Sequence, residues 1–217
     1  MNLIKIFLLK DLKVEFKEKT NLFYMLVLLS TFTLIITTYF KHENPLNLYF
    51  LIFLIIHFFS HQRISRQEIG TSDDLIVFNL PVDLSLFCIA KIIYCTFLFF
   101  VINVFLYLLY NLLTQDELIK LNYGFILFSI IFSIGINTIL TAFSLLLERI
   151  KGEGNFMFIL IFPLILPFIF LSFNSINDLY SMNFYEFIFS FNFQILFAFD
   201  ILLFALCPIL FNYALRR

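Results

Sequence analysis

Residues 90–113 read AKIIYCTFLFFVINVFLYLLYNLL. One lysine stands near the start, and no charged residue follows it through Leu113. A helix rises about 1.5 Å per residue, so about 20 such residues cross roughly 30 Å of hydrocarbon. A helix on the surface of a soluble protein would carry charge along one face. This stretch does not, so it predicts a transmembrane helix.

Similar windows recur outward in both directions. Hydrophobic residues make up 62% of the 217 and charged residues 13%, with a mean hydropathy of +0.99. Soluble domains average about half apolar and about a quarter charged. Strand-like alternation is absent, which argues against a transmembrane barrel. The expectation is an all-α membrane protein forming one transmembrane domain over residues 1–217. Its six transmembrane helices are expected at about 22–40, 46–60, 90–113, 121–147, 155–174 and 188–213. Asn44-Pro45 marks the first reversal and Gly152-Glu153-Gly154 the fourth. The 34 phenylalanines, with the Ile, Leu and Asn excess, read as the codon bias of an AT-rich genome.

Charge placement sets the orientation. With the N-terminus inside, Lys5, Lys10, Lys13, Lys17, Lys19, Arg63, Arg66, Lys91, Arg149, Lys151, Arg216 and Arg217 are cytoplasmic. Only Lys41 and Lys120 lie outside. Twelve against two, covering all 14 basic residues, is a strong positive-inside asymmetry and predicts both termini inside. Tyr39, Tyr49, Tyr110, Tyr123, Tyr180 and Tyr185 fall near the outer boundary and predict an interfacial belt in a chain without Trp.

The first twenty residues differ from the rest. The run Ile6–Leu9 is too short for a signal peptide, and Lys10, Asp11 and Lys13 follow at once. Ile4, Phe7, Leu8, Leu12 and Phe16 recur at helical spacing, with Lys10, Lys13 and Lys17 on another face. This predicts an amphipathic helix in the headgroup plane of the lipid bilayer. It is either a generic anchor or an elbow that receives a push from a cytoplasmic partner.

A polar run, HQRISRQEIGTSDDLIVFNLPVD at 61–83, separates the second and third spans and lies inside by the charge count. Gly70 permits a turn, and Ser72 with Asp73 and Asp74 reads as a helix cap followed by acids at the positive end of the dipole. Pro81 ends that helix near Asn79 or Leu80. Leu75, Ile76 and Phe78 are then partly exposed on a short helix suited to a groove on another protein.

Within the spans, Asp200 in FAFDILLFAL is the one deep acid. An ionisable group there is costly and marks either a function or a structural hydrogen bond. Ser129, Ser133, Asn137 and Thr141, each four apart, form a polar stripe expected to face other helices. Asp200 is expected to approach Ser133, Asn137 or Asn103. Pro163 and Pro167 share a face of the fifth span and predict a kink, either static or hinged. His57 and His61 have a spacing that could hold a metal or a haem, but no acid or thiol stands beside them in sequence. Cys88, Cys95 and Cys207 form no metal or redox motif. No P-loop, HExxH or GxSxG occurs, so no catalytic residue is expected and any ATP must sit on another chain.

Four segments together resemble the cytochrome c maturation protein B family, the permease subunit of an ABC-type transporter (haem exporter protein B). They are LLKDLKVEFKEKTNLFYMLVLLSTFTLIITTYF, SRQEIGTSDDLIVFNLP followed by AKIIY, IFPLILPFIF, and FAFDILLFALCPILFNYALRR. The order, length and spacing carry the resemblance over nearly the whole chain. The run from Pro81 to Lys91 is longer than in the family. The resemblance implies a multi-pass subunit of the cell inner membrane that dimerises and pairs with a CcmA-like cytoplasmic ATPase. It implies CcmC-like and CcmD-like membrane subunits and a CcmE-like haem chaperone released by ATP hydrolysis. Haem is then cargo of the complex, and nucleic acid is no partner. Arg66, Glu68, Gly70 and Pro81 would serve coupling, and Asp200, Pro163 and Pro167 the spans. An ABC-type permease for another substrate, and a secondary transporter using Asp200, are the competing readings. The latter predicts internal repeats with helices broken at the midplane, and no convincing repeat relates residues 1–110 to 111–217.

Overall fold

The structure is a computed structural model that describes residues 3–17, 19–40, 45–69, 84–114, 122–148 and 156–215. Among these residues there are eight helices and no strand. They are α1 (Leu3–Lys17), α2 (Lys19–Tyr39), α3 (Pro45–Ile69), α4 (Leu84–Leu113), α5 (Tyr123–Glu148), α6 (Phe156–Ser181), α7 (Phe184–Ile188) and α8 (Phe191–Leu215).

Local chemistry explains several helix starts. Pro45 opens α3, where a missing N–H costs nothing. Asn122 caps α5 by accepting the Phe125 N–H at 2.7 Å. The Ser190 hydroxyl accepts the Phe193 N–H at the start of α8. Along α2, Thr33 and Thr37 donate to the Leu29 and Thr33 carbonyls, which satisfies their hydroxyls inside an apolar helix.

Among the described residues, three helical segments are long and apolar enough to cross a membrane: Leu84–Leu113, Tyr123–Ala142 and Phe191–Ile209. Phe23–Tyr39 and Pro45–His61 are shorter apolar helices. α6 runs unbroken through Pro163 and Pro167, with both rings on an exposed face. Each proline removes one donor, so the carbonyls of Ile159 and Pro163 lose their usual helical partners. A third proline, Pro208, lies inside α8. Three helices outrun their expected spans by six residues or more, and one of them, α4, begins at Leu84 rather than at residue 90. α3 continues to Ile69, so residues 61–69 of the polar run extend the helix. α6 continues to Ser181, and Asn192 donates to Asp178 at 2.9 Å to tie α6 to α8.

α5 is the hub and packs against α3, α4, α6 and α8. Phe132, fully buried, stands at its centre. Its ring lies 4.9 Å from Phe50, 5.4 Å from Phe53 and 5.4 Å from Phe168, centroid to centroid. Such pairs contribute about 0.5–1.5 kcal/mol beyond area burial. Part of the phenylalanine complement therefore builds the core, while others, such as Phe23, Phe170 and Phe189, lie exposed on the outside of the bundle.

The tyrosine belt needs correction. Tyr39, Tyr123, Tyr180 and Tyr185 are exposed, but Tyr49 and Tyr110 are each only 1% exposed. The Tyr49 hydroxyl donates to the Asn103 side-chain oxygen, and that of Tyr110 to the Pro45 carbonyl at 3.0 Å. A buried phenol needs an acceptor, and both find one on a neighbouring helix.

Candidate functional site

Two regions gather the polar side chains. The first is the junction where the polar run leaves α3 and the chain re-enters as α4. Here α1 packs along α4 and α2. The Asp11 carboxylate accepts from the Lys91 ammonium at 3.4 Å, with the two side chains 9% and 4% exposed. Lys91 also lies over the Tyr94 ring at 4.8 Å. Phe7 meets Phe87 edge-on at 5.4 Å, and Leu8 and Leu12 pack against the core. The apolar stripe of α1 thus faces the bundle, with an acid set into it. On the other side of the run, His61 Nε2 lies 2.9 Å from the Thr141 hydroxyl, which joins α3 to α5.

Sequence reasoning missed the Asp11–Lys91 pair because 80 residues separate its members. The signal in the sequence was an acid placed among the apolar positions Phe7, Leu8 and Leu12 of one helical face. Of the coupling residues, Arg66 and Glu68 fall on the last turns of α3. Gly70, Ser72, Asp73, Asp74, Leu75, Phe78 and Pro81 lie outside the described residues, as does the reversal at Gly152-Glu153-Gly154.

The second region surrounds Asp200, which is 5% exposed. Neither carboxylate oxygen is hydrogen-bonded to Ser133, Asn137 or Asn103, and both are unpartnered among the described residues. Asn103 is taken by Tyr49. Asp200 instead packs on Gly135 of α5, where an added Cβ would collide with its Oδ1 and lie 2.5 Å from the Phe168 ring. The reason is angular. At about 100° per residue, Asn137 lies about 40° from Ser133 around the helix, and Gly135 about 200°. The stripe of Ser129, Ser133, Asn137 and Thr141 is buried, but it points away from the Gly135 side. Gly135 was a legible signal: small residues let transmembrane helices approach closely, and the chain has only five glycines.

The histidine pair is enclosed. His57 Nδ1 donates to the Phe53 carbonyl at 2.8 Å, and its ring stacks on Phe99 at 4.1 Å. Among the described residues no group of three or more His, Cys, Asp or Glu could hold a metal ion. Cys88, Cys95 and Cys207 are buried, and none is in a disulfide.

The arrangement can do two things chemically. The junction can pass a displacement between the polar run, α4 and α1 through a buried ion pair. Asp200 can offer an unpaired carboxylate to a proton or small cation within the bundle. Compared with known proteins, the chain matches no family model, no curated protein and no solved structure.

Proposed function

We propose that this chain is the membrane permease subunit of an ATP-driven ABC-type complex acting in c-type cytochrome maturation. It would sit in the inner membrane with six spans and both termini in the cytoplasm. The observation that carries the reading is the junction. The amphipathic N-terminal helix is fastened by a buried ion pair and an aromatic contact to the first turns of α4. α4 is the first described element after the polar run 61–83. A partner pressing on that run would therefore move α1 and α4 together, as an elbow and coupling loop require. The sequence carries no P-loop motif, and on this reading the ATPase is a separate chain. Haem handling rests on the family resemblance alone, and an ABC-type permease for another substrate shares every structural feature named here.

Copurification separates these readings. A tightly bound P-loop ATPase supports the permease, and a CcmC-like subunit in the same preparation supports cytochrome maturation. Asp73→Lys combined with Asp74→Lys should leave membrane insertion intact and uncouple the ATPase. Unchanged c-type cytochrome levels in that variant would count against the coupling role.

One observation favours a second reading. Asp200 is buried without a hydrogen-bond partner, which suits a proton or cation site in a secondary transporter. Under that reading no ATPase copurifies, and Asp200→Asn abolishes ion-dependent uptake while leaving the fold intact.

A further inference from the structure

Helix α1 presents two faces, and the split differs from the simple apolar and basic division of its sequence. Phe7, Leu8, Asp11 and Leu12 turn toward the bundle. The opposite face exposes Lys5, Lys10 and Lys13. Between them stand Ile6, Leu9 and Val14, exposed at 41%, 44% and 46%. Asp11 is the only acid between residues 4 and 14, and it is withdrawn from this face by its pairing with Lys91. Among the described side chains, the exposed face is therefore cationic.

We propose that this face is a docking surface for the anionic headgroup layer of a lipid bilayer. Charge complementarity and the interleaving of residue types carry the argument. Lysine stems lie along apolar surface while their ammonium groups reach phosphates. Ile6, Leu9 and Val14 enter the boundary between headgroups and acyl chains. At about 100° per residue, the three lysines span about 140° of the helix circumference. A sheet of headgroups matches that breadth, whereas a narrow acidic groove on a protein would engage one edge of it. Each lysine near an anionic surface strengthens association about fivefold. The Asp11–Lys91 pair does two jobs here: it fixes α1 to the bundle and keeps the acid off the lipid face. This inference is independent of the cargo and of any ATPase.

The test uses the full-length protein extracted from membranes of mixed phosphatidylglycerol and phosphatidylcholine, with retained lipid counted by native mass spectrometry. The combined variant Lys5→Gln, Lys10→Gln, Lys13→Gln should lower the retained phosphatidylglycerol-to-phosphatidylcholine ratio by at least about fivefold. Lys5→Arg, Lys10→Arg, Lys13→Arg should keep it, because the charge is preserved. An unchanged thermal midpoint in the Gln variant shows that the loss is not one of folding. An unchanged lipid ratio in a folded Gln variant overturns the proposal. So does a Gln variant that retains its lipid but sheds a copurifying acidic protein, because that protein would then be what covers the face.

Discussion

At Gly135 a single hydrogen in place of a methyl lets two helices meet. Its Cα faces the Asp200 carboxylate and the Phe168 ring, leaving no space for a side chain. Gly135→Ala is therefore expected to destabilise the bundle by about 1–3 kcal/mol through overpacking, read as a lower thermal midpoint in detergent. Asp200→Ala in the same chain should recover only part of the loss, because Phe168 remains 2.5 Å from the new Cβ. A Gly135→Ala variant as stable as the parent would mean that Asp200 lies elsewhere. Tyr49 makes a second residue-scale case. Tyr49→Phe removes the donor to Asn103 and should cost about 1–3 kcal/mol, because the partner is left unsatisfied in a buried site. If the phenol stood in an outer belt, the same change would have little effect on unfolding. Polarity within an apolar span marked Asp200 and Asn103 as candidates for contact between helices, and both are buried, but it could not say which neighbour each would meet.

At the scale of the element, α1 shows how a buried ion pair directs docking. Taking two charges out of water is expensive, and their attraction roughly offsets that cost. Such a pair therefore adds little net stability, but it strongly penalises any arrangement that separates its members. Lys91→Met is expected to cost about 3–5 kcal/mol, because it strands the Asp11 carboxylate; Asp11→Leu is expected to cost less, because Lys91 keeps its contact with the Tyr94 ring. The double variant should be near neutral. A double-mutant cycle on thermal or denaturant unfolding measures the coupling, and additive single effects would show that the pair does not act as a unit. The amphipathic character of α1 was legible from residues 4, 7, 8, 12 and 16. Its docking was not, because helical spacing says which side chains share a face and nothing about what that face touches.

At the scale of the whole molecule, the charge asymmetry leads to a topology test. With single cysteines introduced into a background lacking Cys88, Cys95 and Cys207, residues 1–5 and 61–83 should react with an impermeant thiol reagent only from the cytoplasmic side. Residues 41–44 and 115–121 should react only from the other side. A cysteine at 41–44 labelled from the cytoplasm would sink the six-span arrangement and the coupling-loop reading with it. The aromatic core around Phe132 links these scales. It joins α3, α5 and α6 through ring contacts, so the bundle presents its polar junction as part of one packed body.

The sequence by itself determined the material of this protein: helices, their approximate places, and the long polar run between the second and third expected spans. It could do so because an apolar run of about 20 residues without charge has few stable states other than a buried or membrane-crossing helix. Only the tertiary structure decided the partners. It set Asp200 on Gly135 with neither carboxylate oxygen hydrogen-bonded among the described residues, and drew Tyr49 and Tyr110 inward. It also closed Asp11 onto Lys91 across 80 residues. Those choices depend on helix rotation and on which bodies are neighbours, and a periodicity of 3.6 residues per turn fixes neither.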